Sequence, residues 1–345
     1  MSSSLKSIAE KTRLSVRTVA YILNTDRASL FRAETRDRVE KAAAEVGYRP
    51  NSAAQAMRKG RFDAIGLVQA AEPSSGGMSS WTIMGIEAEL HRHDHKLVMS
   101  TVSDDRLTGD GKLPRLLREW SVDGLLVNYT HSQPGDVHAA LTANRVPAVW
   151  VNSKFKTDCV YPDDYEAAYR ATQRLLELGH KRIAFHTCVE NKHYSMSDRR
   201  AGCDDAMSSA GLRLIRLPVI RPHSHDDRLE AARRILGVPN RATAIVSYGG
   251  ASEILPVYEA ARELGLSVPR DLSLVGFADG KIDEIGRTIA SMRIPTYEVG
   301  EIAAGMLLAK IRSGDATPLP GRAVKFLFEE GDSIGPPLQS LLSTA

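Results

Sequence analysis

Between residues 5 and 57 the chain sets several short helices into a stretch that can hold only one small core. LKSIAEKTRLSVRTVAYILN reads as two short helices around a tight turn. TRDRVEKAAAEVGYRPNSAAQAM reads as a third helix, a Gly-Tyr-Arg-Pro-Asn break and a short Ala-rich helix. Ile8, Leu14, Val19 and Leu23 are the natural core positions of the first block, and Ala9 is small where two helices must cross closely. Ser15 precedes VRTVAYILN and is placed to cap it by accepting a backbone N–H. Thr35 or Ala33 opens the third helix, whose apolar stripe is Val39, Ala42, Ala43 and Val46. Gly47 ends it as a left-handed cap. Three helices in about 45 residues bury too little apolar surface for an independent enzyme.

The stretch is also basic. Residues 1–60 hold 12 Lys and Arg against six Asp and Glu, so this head carries +6 and the remainder −3 within a net +3. A basic head on a mildly acidic body is the footprint of a module that meets phosphate. A helix-turn-helix needs only a core of this size, and it lays its second helix in the DNA major groove. Val16 and Arg17 then stand at the exposed N-terminal end of that helix, with Tyr21 one turn on. Arg17 suits a bidentate contact to guanine O6/N7, and Val16 suits a thymine methyl. Tyr21 either reads a base edge or a phosphate, or is a partly buried packing residue.

The remaining length and composition point to a globular body. A chain of 345 residues predicts roughly two domains plus a small extra piece. Its 43% hydrophobic and 25% charged residues are ordinary for a soluble protein. No apolar run approaches the ~18 residues of a membrane span, and MSSSLKSIAEK has no signal-peptide core. Cys159, Cys188 and Cys203 are odd in number and widely spaced, which fits reduced thiols in a cytoplasmic protein. No membrane partner and no cofactor are expected.

Past Gly60, short apolar runs alternate with amphipathic helices. Predicted strands are AIGLV (64–68), KLVMS (96–100), GLLVN (124–128), AVWVN (148–152), RIAFH (182–186), AIVSY (244–248) and LSLVGF (272–277). Predicted helices include Tyr165–Leu178, closed by Gly179, and Ser252–Leu264, closed by Gly265. This alternation implies α/β architecture with parallel sheets. Two wound halves fit the length, dividing near residue 161. Asn128 and Asn152 each end an apolar strand and offer both donor and acceptor.

SIAEKTRLSVRTVAYILN and ETRDRVEKAAAEVGYRPNSAAQAMR resemble the DNA-binding head and hinge of the lactose-repressor (LacI/GalR) family of transcription factors. LLELGHKRIAF, DRRAG, RELGLSVPRDLSLVGF and SMRIPTYEVGEIAAGMLL resemble its body, which shares the periplasmic sugar-binding fold. The resemblance implies an all-α helix-turn-helix head at 1–50, a hinge helix and linker at 51–60, and an effector-binding and dimerisation domain at 61–345. That domain is expected as two doubly wound parallel-sheet subdomains, about 61–161 plus 293–322 and about 162–292 plus 323–345.

By position, the resemblance puts base reading on Val16, Arg17 and Tyr21, and phosphate contacts on Ser15 and Thr18. Eight residues from Asn51 to Arg58 are too few to be helical alone in water. The resemblance implies that they fold when two copies pack in the minor groove. Ala53, Ala54 and Ala56 suit that close approach, Met57 stands at the family's wedge position, and Arg58 follows, placed for phosphate. The family usually has Gly where this chain has Arg13; a left-handed Arg there costs roughly 1 kcal/mol, unless the turn is shaped differently.

The resemblance also implies an effector cleft outside the strand carboxyl ends. Its expected residues are Asn128, Asn152, Arg199 at the Arg-x-x-Gly position, Met78, Trp81 and Asp279. Trp81 is open to a second role as a core residue at the start of the following helix. Two departures stand out: the family's Asn-Asp pair is Gly249-Gly250 here, and the acidic residue after GF is Ala278, with Asp279 one step later.

Three motifs point nowhere. Gly331-Asp332-Ser333-Ile334-Gly335 matches G-x-S-x-G, but no acid or His follows Ser333 as a nucleophile elbow requires. His91, His93 and His95 lack any zinc-binding companion motif. Gly111-Lys112 lacks the rest of a P-loop. No catalytic residue and no metal site is expected. The sequence therefore predicts a homodimeric regulator, most simply a repressor, that binds a pseudo-palindromic double-stranded operator under the control of a sugar-like small molecule. A co-repressor-dependent regulator, or one with a degenerate pocket, is the alternative.

Overall fold

The computed structural model describes residues 4–24, 26–48, 61–70, 78–102, 121–128, 137, 139, 141, 145–188, 192–217, 224–283, 286–314 and 317–338. The chain forms two units. The first comprises Met1–Ala64 with Leu117–Asp123, and the second comprises Ile65–Leu116 with Gly124–Ala345.

In the first unit, α1 (Leu5–Thr12) opens on a reciprocal cap between Ser4 and Ser7. It ends at Arg13, which is left-handed at φ 54°, ψ 39°. The Leu14 N–H then returns to the Ala9 carbonyl at 3.1 Å. α2 (Val16–Asn24) starts on Ser15, whose Oγ accepts the Thr18 N–H at 3.0 Å. A 3-10 turn (Asp26–Leu30) leads to α3 (Ala33–Glu45), so Ala33, not Thr35, is its first residue. Gly47 adopts φ +62°, and the Tyr48 N–H closes onto Ala43 O at 2.9 Å. Ile8, Ala9, Val19, Ile22, Val39, Ala42 and Ala43 form the core, with Leu14, Leu23 and Val46 half-buried around it. Ile22 takes the deep position that the sequence pattern assigns to its neighbour Leu23.

The second unit contains two six-stranded sheets. The first holds β1 (Ala64–Ala70), β2 (Lys96–Val102), β3 (Gly124–Asn128), β4 (Ala148–Val151), β5 (Cys159–Pro162) and β11 (Arg322–Val324), in the order β11-β5-β4-β3-β1-β2. The second holds β6 (Ile183–His186), β7 (Ile215–Arg216), β8 (Ala244–Ser247), β9 (Ser273–Ala278), β10 (Ala290–Arg293) and β12 (Leu327–Glu329), in the order β12-β10-β9-β8-β6-β7. Its pairings are parallel except β10 with β12.

Helices cover the sheets: α4 (Ser80–Arg92), α5 (Asp164–Glu177), α6 (Tyr194–Ser209), α7 (His225–Leu236), α8 (Ala251–Glu263) and α9 (Thr296–Ser313). α4 and α9 cross at Gly85 and Gly300. A Cβ on Gly85 would lie 2.1 Å from the Tyr297 carbonyl oxygen, and one on Gly300 would lie 2.1 Å from that of Thr82. These two glycines let the backbones touch over the first sheet.

Three crossings join the halves: Pro162 into α5, Arg293 into α9, and β11 into β12. The last falls at 324–327, two residues beyond the boundary drawn from sequence. Among the described residues no helix is long and apolar enough to cross a membrane.

Candidate functional site

The exposed start of α2 gathers the residues proposed for DNA reading. Val16 is 45% exposed. Arg17 bends back along the helix, with Nη2 3.0 Å and Nε 3.3 Å from the Tyr21 hydroxyl and its guanidinium carbon 5.4 Å from the ring centroid. This i, i+4 contact presents the two side chains as one element. Ser15 Oγ, besides capping, lies 2.8 Å from Thr18 Oγ1. The two hydroxyls therefore serve the helix start before any phosphate arrives. Free N–H groups at a helix N-terminus add a site for anionic oxygen. Asn51, Ala54, Met57 and Arg58 lie outside the described residues, as does Gly111-Lys112.

A cavity of about 370 Å³ opens between the two sheets of the second unit. The ends of strands from both halves line it, the position at which α/β folds bind ligands. Met78, Asn128, Asn152, Arg199 and Asp279 all face it. Trp81 does not. α4 buries Thr82, Gly85, Ile86 and Leu90, and a step of one residue rotates about 100° around the helix. Trp81 thus points away from the cavity and is 49% exposed, beside Met84 at 53%.

Arg199 is the most constrained lining residue. It projects from α6 and is 6% exposed. Its Nε donates to Asp164 Oδ1 at 2.6 Å, its Nη2 lies 2.6 Å from the same oxygen, and its Nη1 donates to the Tyr248 carbonyl. The guanidinium sits 4.0 Å from the centroid of Phe277 and 4.8 Å from that of Tyr248. Asp164, in the first turn of α5, is itself buried and lines the cavity. A buried charge of this kind is held by its partner and its hydrogen bonds.

A second chain of bonds crosses the cleft. His193 Nε2 lies 2.9 Å from the Asn152 carbonyl, His193 Nδ1 2.7 Å from Ser195 Oγ, and Ser195 Oγ 2.9 Å from the Tyr248 hydroxyl. A carbonyl only accepts, so Nε2 carries the proton. A neutral imidazole then accepts at Nδ1 from Ser195, which accepts in turn from Tyr248. Asn152, left-handed at φ 55°, thus serves through its backbone as well as facing the cavity. Lys154 Nζ makes a further bridge between the halves, to Asp198 at 2.5 Å.

Asn128 differs from these satisfied groups. It is 6% exposed, and among the described residues its Oδ1 has no hydrogen-bond partner. A buried acceptor left open costs roughly 1–3 kcal/mol, which marks it as a place for a ligand donor.

The Gly249-Gly250 departure has a local cause. Glu253 of α8 is buried beneath these glycines and accepts from the Gly249 N–H at 3.1 Å and from Ser247 Oγ at 3.2 Å. A Cβ on Gly249 would sit 3.0 Å from the Glu253 carboxyl carbon. Burial pushes the Glu253 carboxyl above the usual carboxylate range, against the hydrogen bonds that lower it.

The other motifs resolve as packing. Ser333 is buried; it accepts the Ala290 N–H at 2.8 Å and donates to the Leu274 carbonyl at 2.6 Å. His93 faces Glu89 at 3.4 Å, and His95 Nδ1 faces the His93 carbonyl. Burial pushes Cys188 up to about 11 and Cys203 up to about 12, which makes both poor nucleophiles at neutral pH.

The sequence reading missed Asp164, His193, Ser195, Tyr248 and Phe277. The available signal was positional. Tyr248 ends the predicted strand AIVSY, and Asp164 immediately precedes the predicted helix Tyr165–Leu178.

Residues 4–51 match the bacterial regulatory proteins of the lacI family, and residues 172–333 match a periplasmic binding protein-like domain. The HTH-type transcriptional regulator RafR of Escherichia coli is 32% identical over 253 residues, covering 71% of this chain and 72% of that protein. The ribose operon repressor of Haemophilus influenzae is 24% identical over 316 residues, covering 90% and 92%. The crystal structure of the lac repressor dimer bound to operator and the anti-inducer ONPF has the same fold, with a TM-score of 0.80 at 21% identity, covering 96% of this chain and 99% of that chain. Head and body together define a DNA-binding transcriptional regulator with a periplasmic-binding-protein-like sensor. The chain belongs to the lacI family of bacterial regulatory proteins.

Proposed function

We propose that this protein is a homodimeric repressor that reads a pseudo-palindromic operator and is controlled by a small polar effector bound between its two body halves. The observation that carries the effector is the open acceptor of Asn128 in a cavity whose buried cation, Arg199, is held in place by Asp164 and an aromatic floor. Arg17, with Tyr21 behind it, and Val16 read bases, while Ser15, Thr18 and Arg58 meet the backbone. The relatives named for a ribose operon support a sugar-sized ligand, and about 370 Å³ suits one.

The dimer uses α4 and the neighbouring edge strand β2. Trp81 and Met84 on the helix, and Val98 and Met99 on the strand, are large apolar side chains left exposed on this flank. Effector contacts to both halves shift the balance between two arrangements of the cleft, and the hinge segment 51–60 transmits that shift to operator affinity. A cavity with an unpartnered buried acceptor weighs against a degenerate, ligand-free pocket.

Arg199→Ala tests this reading. Operator affinity should stay within about twofold, whereas release or tightening by any sugar that shifts the wild-type melting temperature should be lost. Retained effector response in this variant would move the ligand out of the cleft.

A further inference from the structure

The charges lining the cavity narrow the chemical class of its ligand, an argument that rests on the effector site proposed above. Among the described residues three fixed charges face the space: Arg199, Asp164 and Asp279. The first two cancel. Arg199 spends its Nε and Nη2 on Asp164 and an Nη1 hydrogen on the Tyr248 carbonyl, and its flat face is covered by Phe277 and Tyr248. Its charge is therefore already matched by Asp164, and one hydrogen on Nη1 and one on Nη2 are left for a ligand's oxygens. His193 adds no charge while its Nδ1 accepts from Ser195.

Asp279 is the unbalanced member. It stands just past β9 on the cavity wall and makes no hydrogen bond or ion pair among the described residues. Asn128 Oδ1, buried on the opposite half, is likewise an acceptor without a donor. The two vacant positions thus both accept, and one carries a full negative charge. A phosphate or carboxylate ligand would meet Asp279 with no unpaired cation among the described lining residues to offset it. A hydroxyl satisfies Asn128 and can also donate to half-buried Asp279, but only a cationic donor matches the carboxylate's charge as well.

We propose that the effector is a small polyol bearing a basic nitrogen, of amino-sugar class, whose ammonium group pairs with Asp279 while another of its donors reaches Asn128 Oδ1. The remaining Arg199 N–H groups and the hydroxyls of Thr82 and Thr296 then serve the ligand's oxygens.

Calorimetric titration of the full-length protein in 150 mM salt tests this with four probe groups: 2-amino-2-deoxyhexoses, their parent hexoses, the N-acetylated amino sugars and the hexuronates. The amines should bind at least about tenfold more tightly than their parents and N-acetyl forms, and the hexuronates most weakly. The preference should fade as the pH rises through the ligand amine's own pKa. Asp279→Asn, which keeps shape and hydrogen bonding, should bring amine and parent to equal affinity. Arg199→Ala should remove binding of both. Parent sugars or hexuronates that bind as well as the amines, or a preference that survives Asp279→Asn, would overturn the amino-sugar inference while leaving the effector cavity standing. Absence of binding by all four groups would overturn both.

Discussion

The Arg17–Tyr21 pair yields the sharpest test of how the head reads DNA. Arg17→Ala removes a candidate bidentate contact to guanine and should cost ~1–3 kcal/mol of operator affinity, about 5- to 150-fold, with loss of preference at one base position. Tyr21→Phe is milder. It deletes the oxygen 3.0 and 3.3 Å from the guanidinium nitrogens and keeps the ring 5.4 Å away. The pair is solvent-exposed, so one charge-assisted hydrogen bond there is worth only ~0.5–1 kcal/mol, about two- to fivefold. If Tyr21 acts by holding Arg17, then Tyr21→Phe in an Arg17→Ala background should change nothing, and the cycle should show a coupling equal to the single Tyr21 effect. Fluorescence anisotropy on a palindromic operator at several salt concentrations measures all four proteins. Additive losses would refute the positioning role and give Tyr21 a contact of its own. A loss for Arg17→Ala that is equal on all sequences, with the log–log salt slope flattened by ~0.9, would move Arg17 from base to phosphate.

Arg13→Gly should stabilise the head. A left-handed non-glycine residue costs ~1–2 kcal/mol, glycine's extra unfolded freedom offsets ~0.5–1, and the balance should raise amide protection at Ile8, Val19 and Val39 about two- to fivefold in hydrogen exchange. Equal or weaker protection would show that the arginine carries no strain at this turn. Trp81→Ser or Met84→Ser should weaken the dimer at least about tenfold by sedimentation, since each substitution counts twice across a two-fold interface; an unchanged dimer places the interface elsewhere. His186 is buried, and desolvation lowers its pKa to about 4 from 6.5. Its contribution of about 3 kcal/mol is present above pH 6.5 and is lost as the pH falls towards 4, because the unfolded chain takes up the proton first. His186→Leu should flatten that part of the urea-unfolding profile. Glu253, with its raised pKa, slopes the other way and is common to both proteins.

How far the fold was legible depended on where each segment's burial comes from. β1, β3, β4, β6, β8 and β9 lie at the sheet interiors or close to them, and their continuous apolar runs marked them to within two residues at either end. β5, β7, β10, β11 and β12 were not marked. CVYP carries a cysteine and a proline, IR is two residues long, and RAV is largely exposed at a sheet edge. These segments are strands because a neighbour offers hydrogen bonds, and local pattern does not record that. The same limit applies to the site. Asn128 and Asn152 were visible as polar ends of apolar strands. Asp164 and Arg199 are 35 residues apart, and Ser195 and Tyr248 are 53 apart, so only the folded chain brings them together. Trp81 shows the cost of a small error: one helical position separates the cavity-lining Thr82 from an exposed flank.

The distribution of satisfied and unsatisfied groups bears on how a ligand could act as a switch. A ligand moves an equilibrium only by its difference in affinity for the two states. Here the cleft is already bridged without one, through His193 to the Asn152 carbonyl and Lys154 to Asp198. A ligand that touched a single half would bind without altering those bridges. The two open acceptors lie on different halves: Asn128 ends β3 of the first sheet, and Asp279 follows β9 of the second. A donor-rich ligand that meets both must favour one spacing of the halves over others, and the His193 and Lys154 bridges hold or break according to that spacing. Replacing Asn128 by Leu, of similar shape and without a buried polar group to satisfy, should therefore alter coupling more than folding, since Oδ1 makes no bond among the described residues. On this argument the sign of regulation depends on whether the spacing the ligand prefers matches the one those two bridges already hold.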